Sequence, residues 1–419
     1  MTFYQRLIRT FATVALICGV TASANAQSWD LLIKDGHLID ARNGIDEVMD
    51  VAIADGKVAR VGSNLSEEDA VQVVDASGMV VSPGFIDLHA HYFWGTEPNR
   101  YLSNSYSALP PDGFTFRSGV TTAVDVGGAG WRNFDQFKRQ VIDRSQTRIL
   151  SFVNIVGDGM SGEPEQDIDD MNPRMAARAV QNNEEVVGIK VAHFRGYNWE
   201  PYQRAARAGV LADVPVMIDL GSQQKVLPLD HMFFEVFRPG DILTHTYGSP
   251  VIGTVGFKEG ALDENGQVRE HWIRAQENGF IFDVGHGGGS FFYEIAKPAT
   301  EQGFWPNTIS TDIHTGSMNG GMKGQDNVIS KFLNLGMPLA DAIAATTWEP
   351  AKVISREDLG HLSEGAEADI TIFTVREGEF GFIDVRGNVE PGDRKLEIEA
   401  TFRAGRMVYD LNGIASVPQ

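Results

Sequence analysis

From Trp29 onward, apolar and polar residues alternate in short runs: Leu31-Leu-Ile-Lys34, Gly36-His-Leu-Ile-Asp40, Val51-Ala-Ile-Ala54 and Lys57-Val-Ala-Arg-Val61. Alternation over so few residues is the period of a strand with one buried face. Between the runs stand Asp35-Gly36, Asn43-Gly44 and Asp55-Gly56. Such dipeptides accept the left-handed backbone of tight turns, so each predicts a hairpin. The far end of the chain repeats the pattern in Asp369-Ile-Thr-Ile-Phe-Thr374, Leu396-Glu-Ile-Glu-Ala-Thr-Phe402 and Met407-Val-Tyr409. Neither end has strands enough to bury a face alone, and the two are expected to pair into one β-sandwich.

The middle has another texture. Apolar runs typical of strands covered on both faces recur at 84–88, 120–126, 149–155, 186–191, 215–220, 241–245, 279–284 and 308–312. Helical segments are predicted between several of them, at 173–182, 199–208 and 270–278. Eight strand–helix units in about 270 residues is the arithmetic of a (β/α)8 barrel. The expected fold class is therefore α/β, a (β/α)8 TIM barrel over 84–358 with a small β-sandwich domain formed by both chain ends, 27–83 and 359–419.

Residues 1–26 fit neither unit. Arg6 and Arg9 precede the apolar run 11–20, and Ala24-Asn25-Ala26 follows it, which is the layout of a cleavable secretory signal. The run is too short to span a bilayer. Its removal takes away the chain's 1 cysteine, Cys18, so the mature protein is expected to be periplasmic or secreted, without disulfides or thiol chemistry. The formal charge of −21, with no Lys/Arg cluster to interrupt it, argues against nucleic acid as a partner. No membrane partner is expected after signal cleavage. A small-molecule substrate is expected, and self-association is left open.

Chemistry gathers where barrel strands end, the rim that carries function in this architecture. The first strand ends in His89-Ala-His91, the fifth in Asp219 and the sixth in His245. The seventh runs into His286, and the eighth ends in Asp312 with His314 beyond. An H-x-H pair at a strand end puts both imidazoles on one side, and imidazole suits zinc-like ions. Lys190 lies inside an otherwise apolar strand. A buried ammonium needs compensation, either carbamylation by CO2 to an anionic ligand or an ion pair with Asp312 or Asp219.

Taken in order, these residues carry a resemblance. Ser82-Pro-Gly-Phe-Ile-Asp-Leu-His-Ala-His91, Asp241-Ile-Leu-Thr-His245, Asp283-Val-Gly-His-Gly287, Ile309-Ser-Thr-Asp-Ile-His314 and Ser363-Glu-Gly-Ala-Glu-Ala-Asp-Ile370 resemble motifs of the amidohydrolase superfamily of metal-dependent hydrolases. The likeness is to its deacetylase, dihydroorotase-like branch. The resemblance implies one or two divalent cations, zinc by preference. One would be held by His89, His91, an N-carboxylated Lys190 and Asp312. The other would be held by Lys190, His245 and Asp219, where the family has histidine. It further implies Asp312 as the general base and His286 as a contact to substrate or oxyanion. His193 is outside the family pattern. Tyr197, Tyr247 and the loop 318–324 are read as rim packing. The implied activity is hydrolysis of an amide or ester, most simply removal of an acyl group from a small N-acyl or O-acyl acid. The alternatives are opening of a cyclic amide and a binding protein on a decayed barrel.

Overall fold

The computed structural model describes residues 28–95, 108–160, 162–221, 225–252 and 256–415. The expected signal at 1–26 falls outside them. Both chain ends contribute to one eight-stranded sheet. Its order is Arg406–Asp410, Val389–Arg403, Ile370–Ile383, Val80–Pro83, Trp29–Asp40, Ile45–Ala54 and Lys57–Gly62, with Ala70–Asp75 pairing Trp29–Asp40 beside this path. The two layers expected of a sandwich come from this single sheet folding over. The Val58 amide donates to Ala366 O at 2.9 Å and the Gly405 amide to Ala368 O at 2.8 Å. Leu31, Ile33, Val51, Val58, Ile370 and Phe402 consequently share one buried cluster.

One turn prediction is corrected. Asn43-Gly44 and Asp55-Gly56 do separate antiparallel neighbours, but Asp35-Gly36 interrupts no strand: Trp29–Asp40 runs straight through it. The register slips between Ile33 and Gly36, with Asp35 left-handed at φ 57°, so the dipeptide makes a bulge. Asp50 holds it, its carboxylate accepting from the Asp35 amide at 2.9 Å and from Lys34 Nζ at 3.0 Å. Gly36 has no room for more, since a Cβ there would lie 2.4 Å from Val81 Cγ2.

The second sheet is parallel and seven-stranded. It runs Phe85–Ala90, Val120–Gly130, Arg148–Asn154, Val186–Ala192, Val216–Asp219, Ile242–Leu243 and Ile281–Phe282, each strand beside the next. It is curled: Ile86 and Leu88 on one edge strand share a buried cluster with Met217 and Ile242 from the far side. The predicted eighth strand is not a regular strand. The segment 308–313 nevertheless bonds to both edges, with Val284 N donating to Thr308 O at 3.1 Å and Asp312 N to His89 O at 2.6 Å. Isolated parallel bridges pair Asp283 with Thr308 and Ala90 with Ile313. Regular pairing fails there because Asp312 is left-handed at φ 49° and because the Thr311 backbone amide donates to the Asp87 carboxylate at 2.9 Å instead of to a neighbouring strand.

The three predicted helices form at Pro173–Asn182, Glu200–Ala212 and Glu270–Glu277. The first is started by Asn172, whose Oδ1 accepts from the amides of Arg174 and Met175 at 3.1 and 3.2 Å, with Pro173 at the position where its missing N–H costs nothing. Its alanine face, Ala176, Ala177 and Ala179, is buried. Among the described residues no helix is long and apolar enough to cross a membrane.

Candidate active site

The strand ends converge, and hydrogen bonds behind them decide how each imidazole is presented. Asp283 is fully buried and accepts from three hydroxyls, those of Thr244 at 2.8 Å, Thr308 at 2.7 Å and Ser310 at 2.7 Å. With its one proton given to Asp283, Thr244 Oγ1 can only accept from His89 Nδ1, 2.8 Å away. His89 Nε2 therefore carries a bare lone pair, and it lies 3.5 Å from Asp312 Oδ1. His245 is set the same way. Its Nδ1 donates to Gly285 O at 2.7 Å, which turns Nε2 toward Asp219 Oδ2, 3.3 Å away. Burial, reinforced by Lys190, His245 and His91, holds His89 well below the usual imidazole range and keeps it neutral.

Lone pairs aimed at carboxylate oxygens repel unless a cation stands between them. The donor set fits a metal on that ground. His89, His245 and Asp312 each offer a ligand atom, all within 4.8 Å of one another, and mixed imidazole and carboxylate donors with a position left open suit a catalytic divalent ion. His91 joins them through Nε2, 3.0 Å from the same Asp312 Oδ1. His245 (φ 63°), Asp312 (φ 49°) and His193 (φ 53°) all hold the left-handed conformation, which non-glycine residues keep only where surrounding structure forces it.

Lys190 and Asp219 face each other beside this group, Nζ to Oδ2 at 3.7 Å. Lys190 is 0% exposed, and among the described residues its Nζ has no hydrogen-bond partner. Burial lowers its basicity, though Asp219 and Asp312 pull the other way. Asp219 also receives His193 Nε2 at 3.2 Å, while His193 Nδ1 meets Glu165 Oε2 at 3.3 Å. Burial disfavours charge on both, but the pairing wins. His245, His193 and Lys190 hold Asp219 well below the usual carboxylate range, and Asp219 with Glu165 raises His193 to about 10. Sequence reading gave His193 no firm role and missed Glu165, Thr244 and Asp283. Thr244 and Asp283 sit inside motifs already quoted, but hydroxyls at strand ends carry no metal-ligand signature of their own.

His286 is corrected. It is fully buried and does not line the cavity. Its Nδ1 donates to Gly287 O at 2.9 Å, its Nε2 accepts from Lys331 Nζ at 2.6 Å, and its ring stacks on Phe291 with centroids 4.7 Å apart. The glycine turn swings the ring away from the rim. What faces Asp312 instead is Gly287, where a Cβ would sit 2.1 Å from Asp312 Oδ2. Lys331 also donates to Gly321 O at 2.9 Å and Ile383 O at 2.6 Å, so its three protons tie this turn to the loop and the long hairpin. Lys331→Met preserves the volume but leaves three buried acceptors empty, and unfolding free energy measured in denaturant is expected to fall by more than about 2 kcal/mol.

The site opens into a cavity of about 930 Å³ lined by His91, Glu165, His193, Asp219, His245, Lys258, Asp312 and His314, with Arg195 and Arg386 at its wall. Tyr247 is not part of it, being buried with its hydroxyl on Phe304 O at 3.0 Å. Tyr197 is half exposed and packs its ring against Lys225.

The amidohydrolase family pattern matches residues 294–408. A deacetylase of Brucella anthropi is 32% identical over 362 residues, 84% of this chain and 86% of that protein. A deacetylase of Agrobacterium fabrum is 32% identical over 352 residues, 82% of each. Among solved structures, an adenine deaminase superposes with a TM-score of 0.79 at 26% identity, covering 91% of this chain and 100% of that one. A dihydroorotase superposes with a TM-score of 0.75 at 27% identity, covering 90% and 98%.

Proposed function

The chain belongs to the amidohydrolase superfamily, and from that premise we propose that it is an exported, zinc-dependent deacylase of small N-acyl or O-acyl acids. That it is a hydrolase of carbon–nitrogen bonds follows from the deacetylase relatives, which sets aside the non-catalytic alternative. The observation that carries the metal chemistry is the convergence of ligand atoms from His89, His245 and Asp312 within 4.8 Å, with the bare His89 Nε2 3.5 Å from Asp312 Oδ1. In this reading the curled sheet and its closing segment 308–313 are a (β/α)8 barrel, the architecture that collects such groups on one rim.

His89, His91, Lys190 and Asp312 would hold one ion, and Lys190, His245 and Asp219 a second. When bound, these ions supply an acidified water and a polarised carbonyl. Lys190 suits the bridging place because burial lowers its basicity. A neutral amine can add CO2, lose a proton and become an anionic carbamate. The chain's own work is placement and proton transfer. Asp283 and Thr244 fix the tautomer of His89, and Gly285 O fixes that of His245. Asp312 takes the proton of the attacking water on one carboxylate oxygen. It returns that proton to the leaving nitrogen or oxygen as the carbonyl carbon is released from it. His193, charged between Glu165 and Asp219, keeps Asp219 ionised and aimed at His245.

The reading is tested by metal analysis of protein purified without chelator, followed by a screen of N-acyl amino acids, O-acyl hydroxy acids and cyclic amides. About one or two equivalents of metal and release of a carboxylic acid support it; metal-free protein overturns it. A second reading, opening of a cyclic amide, is favoured by the likeness to a dihydroorotase, and turnover confined to ring substrates in the same screen would establish it. Export has its own check. Protein from the extracytoplasmic fraction of the native host is expected to begin at or near Gln27, and an intact mass retaining Met1 would refute a cleaved signal.

A further inference from the structure

Among the described residues, His193 and the arginines around the cavity are paired with acids. Arg195 is paired with Glu163 at 2.9 Å, Arg386 with Glu294 at 2.6 Å, and His193 with Glu165 and Asp219. Lys258 lines the same cavity, yet among the described residues its Nζ has no ion-pair partner and no hydrogen-bond acceptor. The fold makes room for this ammonium. The position a Cβ on Gly248 would occupy lies 2.9 Å from Lys258 Nζ and 3.0 Å from His245 O. A side chain at position 248 would crowd both the ammonium and the His245 carbonyl, so the glycine leaves this place to Lys258. Burial lowers its pKa from the ordinary lysine value, opposed by Asp219 from beyond ion-pair distance.

We infer that Lys258 is the carboxylate-binding residue of the site, reading the free acid group of a substrate whose acyl bond lies over His245 and Asp312. This rests on the proposed deacylase activity and names the feature its substrates share, an anionic group beside the scissile bond. An unpaired, partly desolvated ammonium gains a charge-assisted bond when a carboxylate arrives. Neutral analogues gain none, and a site built for such a bond rejects ligands that lack it.

The test is calorimetric titration of metal-loaded protein with a series of N-acetyl amino acids and their primary amides, alongside turnover of both. The wild type is expected to bind the acids about 10- to 100-fold more tightly than the amides, the range a charged hydrogen bond supplies. Lys258→Met should abolish this preference while leaving amide binding within about threefold, and Lys258→Arg should keep most of it. Absence of preference in the wild type, persistence of it in Lys258→Met, or binding of neither series overturns the assignment. The two readings fail separately. A Lys258-dependent preference without turnover sinks the deacylase reading and leaves the carboxylate site standing. Turnover of acids and amides at equal rates does the reverse.

Discussion

Asp312→Asn is expected to lower kcat/KM by roughly 10²–10⁴ while the protein stays folded, the loss typical of a general acid–base residue. Burial alone would raise this carboxyl's pKa, but the hydrogen bond from His91 and the nearby His245 hold it below the usual carboxylate range. It is therefore ionised and ready to accept a proton at neutral pH. Asparagine keeps the shape and one ligand oxygen, and its amide cannot take the proton. Metal content measured beside the rate separates the two roles. Retained metal with a collapsed rate assigns the proton transfer to Asp312. A loss below tenfold would move the base elsewhere in the cavity, with His314 next in line because it lines the same space and its ring lies 6.2 Å from His91.

Lys190→Ala should lose bound metal and activity together, with kcat/KM down by at least about 10². Even residues that merely support ligands cost 10- to 100-fold in metal affinity or activity when changed. Short-chain carboxylic acids in the buffer should restore part of both by standing where the proposed carbamate on Lys190 would stand. Stability distinguishes this from simple damage. Among the described residues Lys190 Nζ makes no hydrogen bond and is fully buried, so removing the amine takes away a desolvation penalty and only the long 3.7 Å ion pair to Asp219, which His193 and His245 also compensate. Lys190→Met, which keeps the stem's volume against Gly127, is expected to unfold at the same temperature as the metal-free wild type or higher. Full metal occupancy in either variant would reduce Lys190 to the ion-pair partner of Asp219.

Much of this site could be read along the chain because its logic is local. A polar residue at the end of an apolar run is conspicuous wherever the run is, and His89, His91, Asp219, His245 and Asp312 announce themselves in that way, while Lys190 stands out as a charge inside such a run. The same habit misplaced His286, which stands at a strand end in the sequence but on a turn that reverses direction in space. Lys258 and Glu165 passed unnoticed because they lie on connecting segments, where a charged residue is ordinarily solvated and carries no pattern.

Adjacent residues alone carry the two textures of the chain, the short alternating runs at both ends and the apolar runs between, together with the roster of groups at the strand ends. Both are properties of neighbouring residues and survive without knowledge of contacts. Tertiary structure alone decided which nitrogen each histidine presents, since Thr244 and Gly285, through their bonds to His89 and His245, set that choice from other segments. It decided that Asp35-Gly36 bends a strand instead of ending it, because Asp50 stands opposite to hold the bulge. It also left Lys258 without an acidic partner among the described residues. Pairing is settled by distances between residues far apart in the chain, and no reading of composition or period contains those distances.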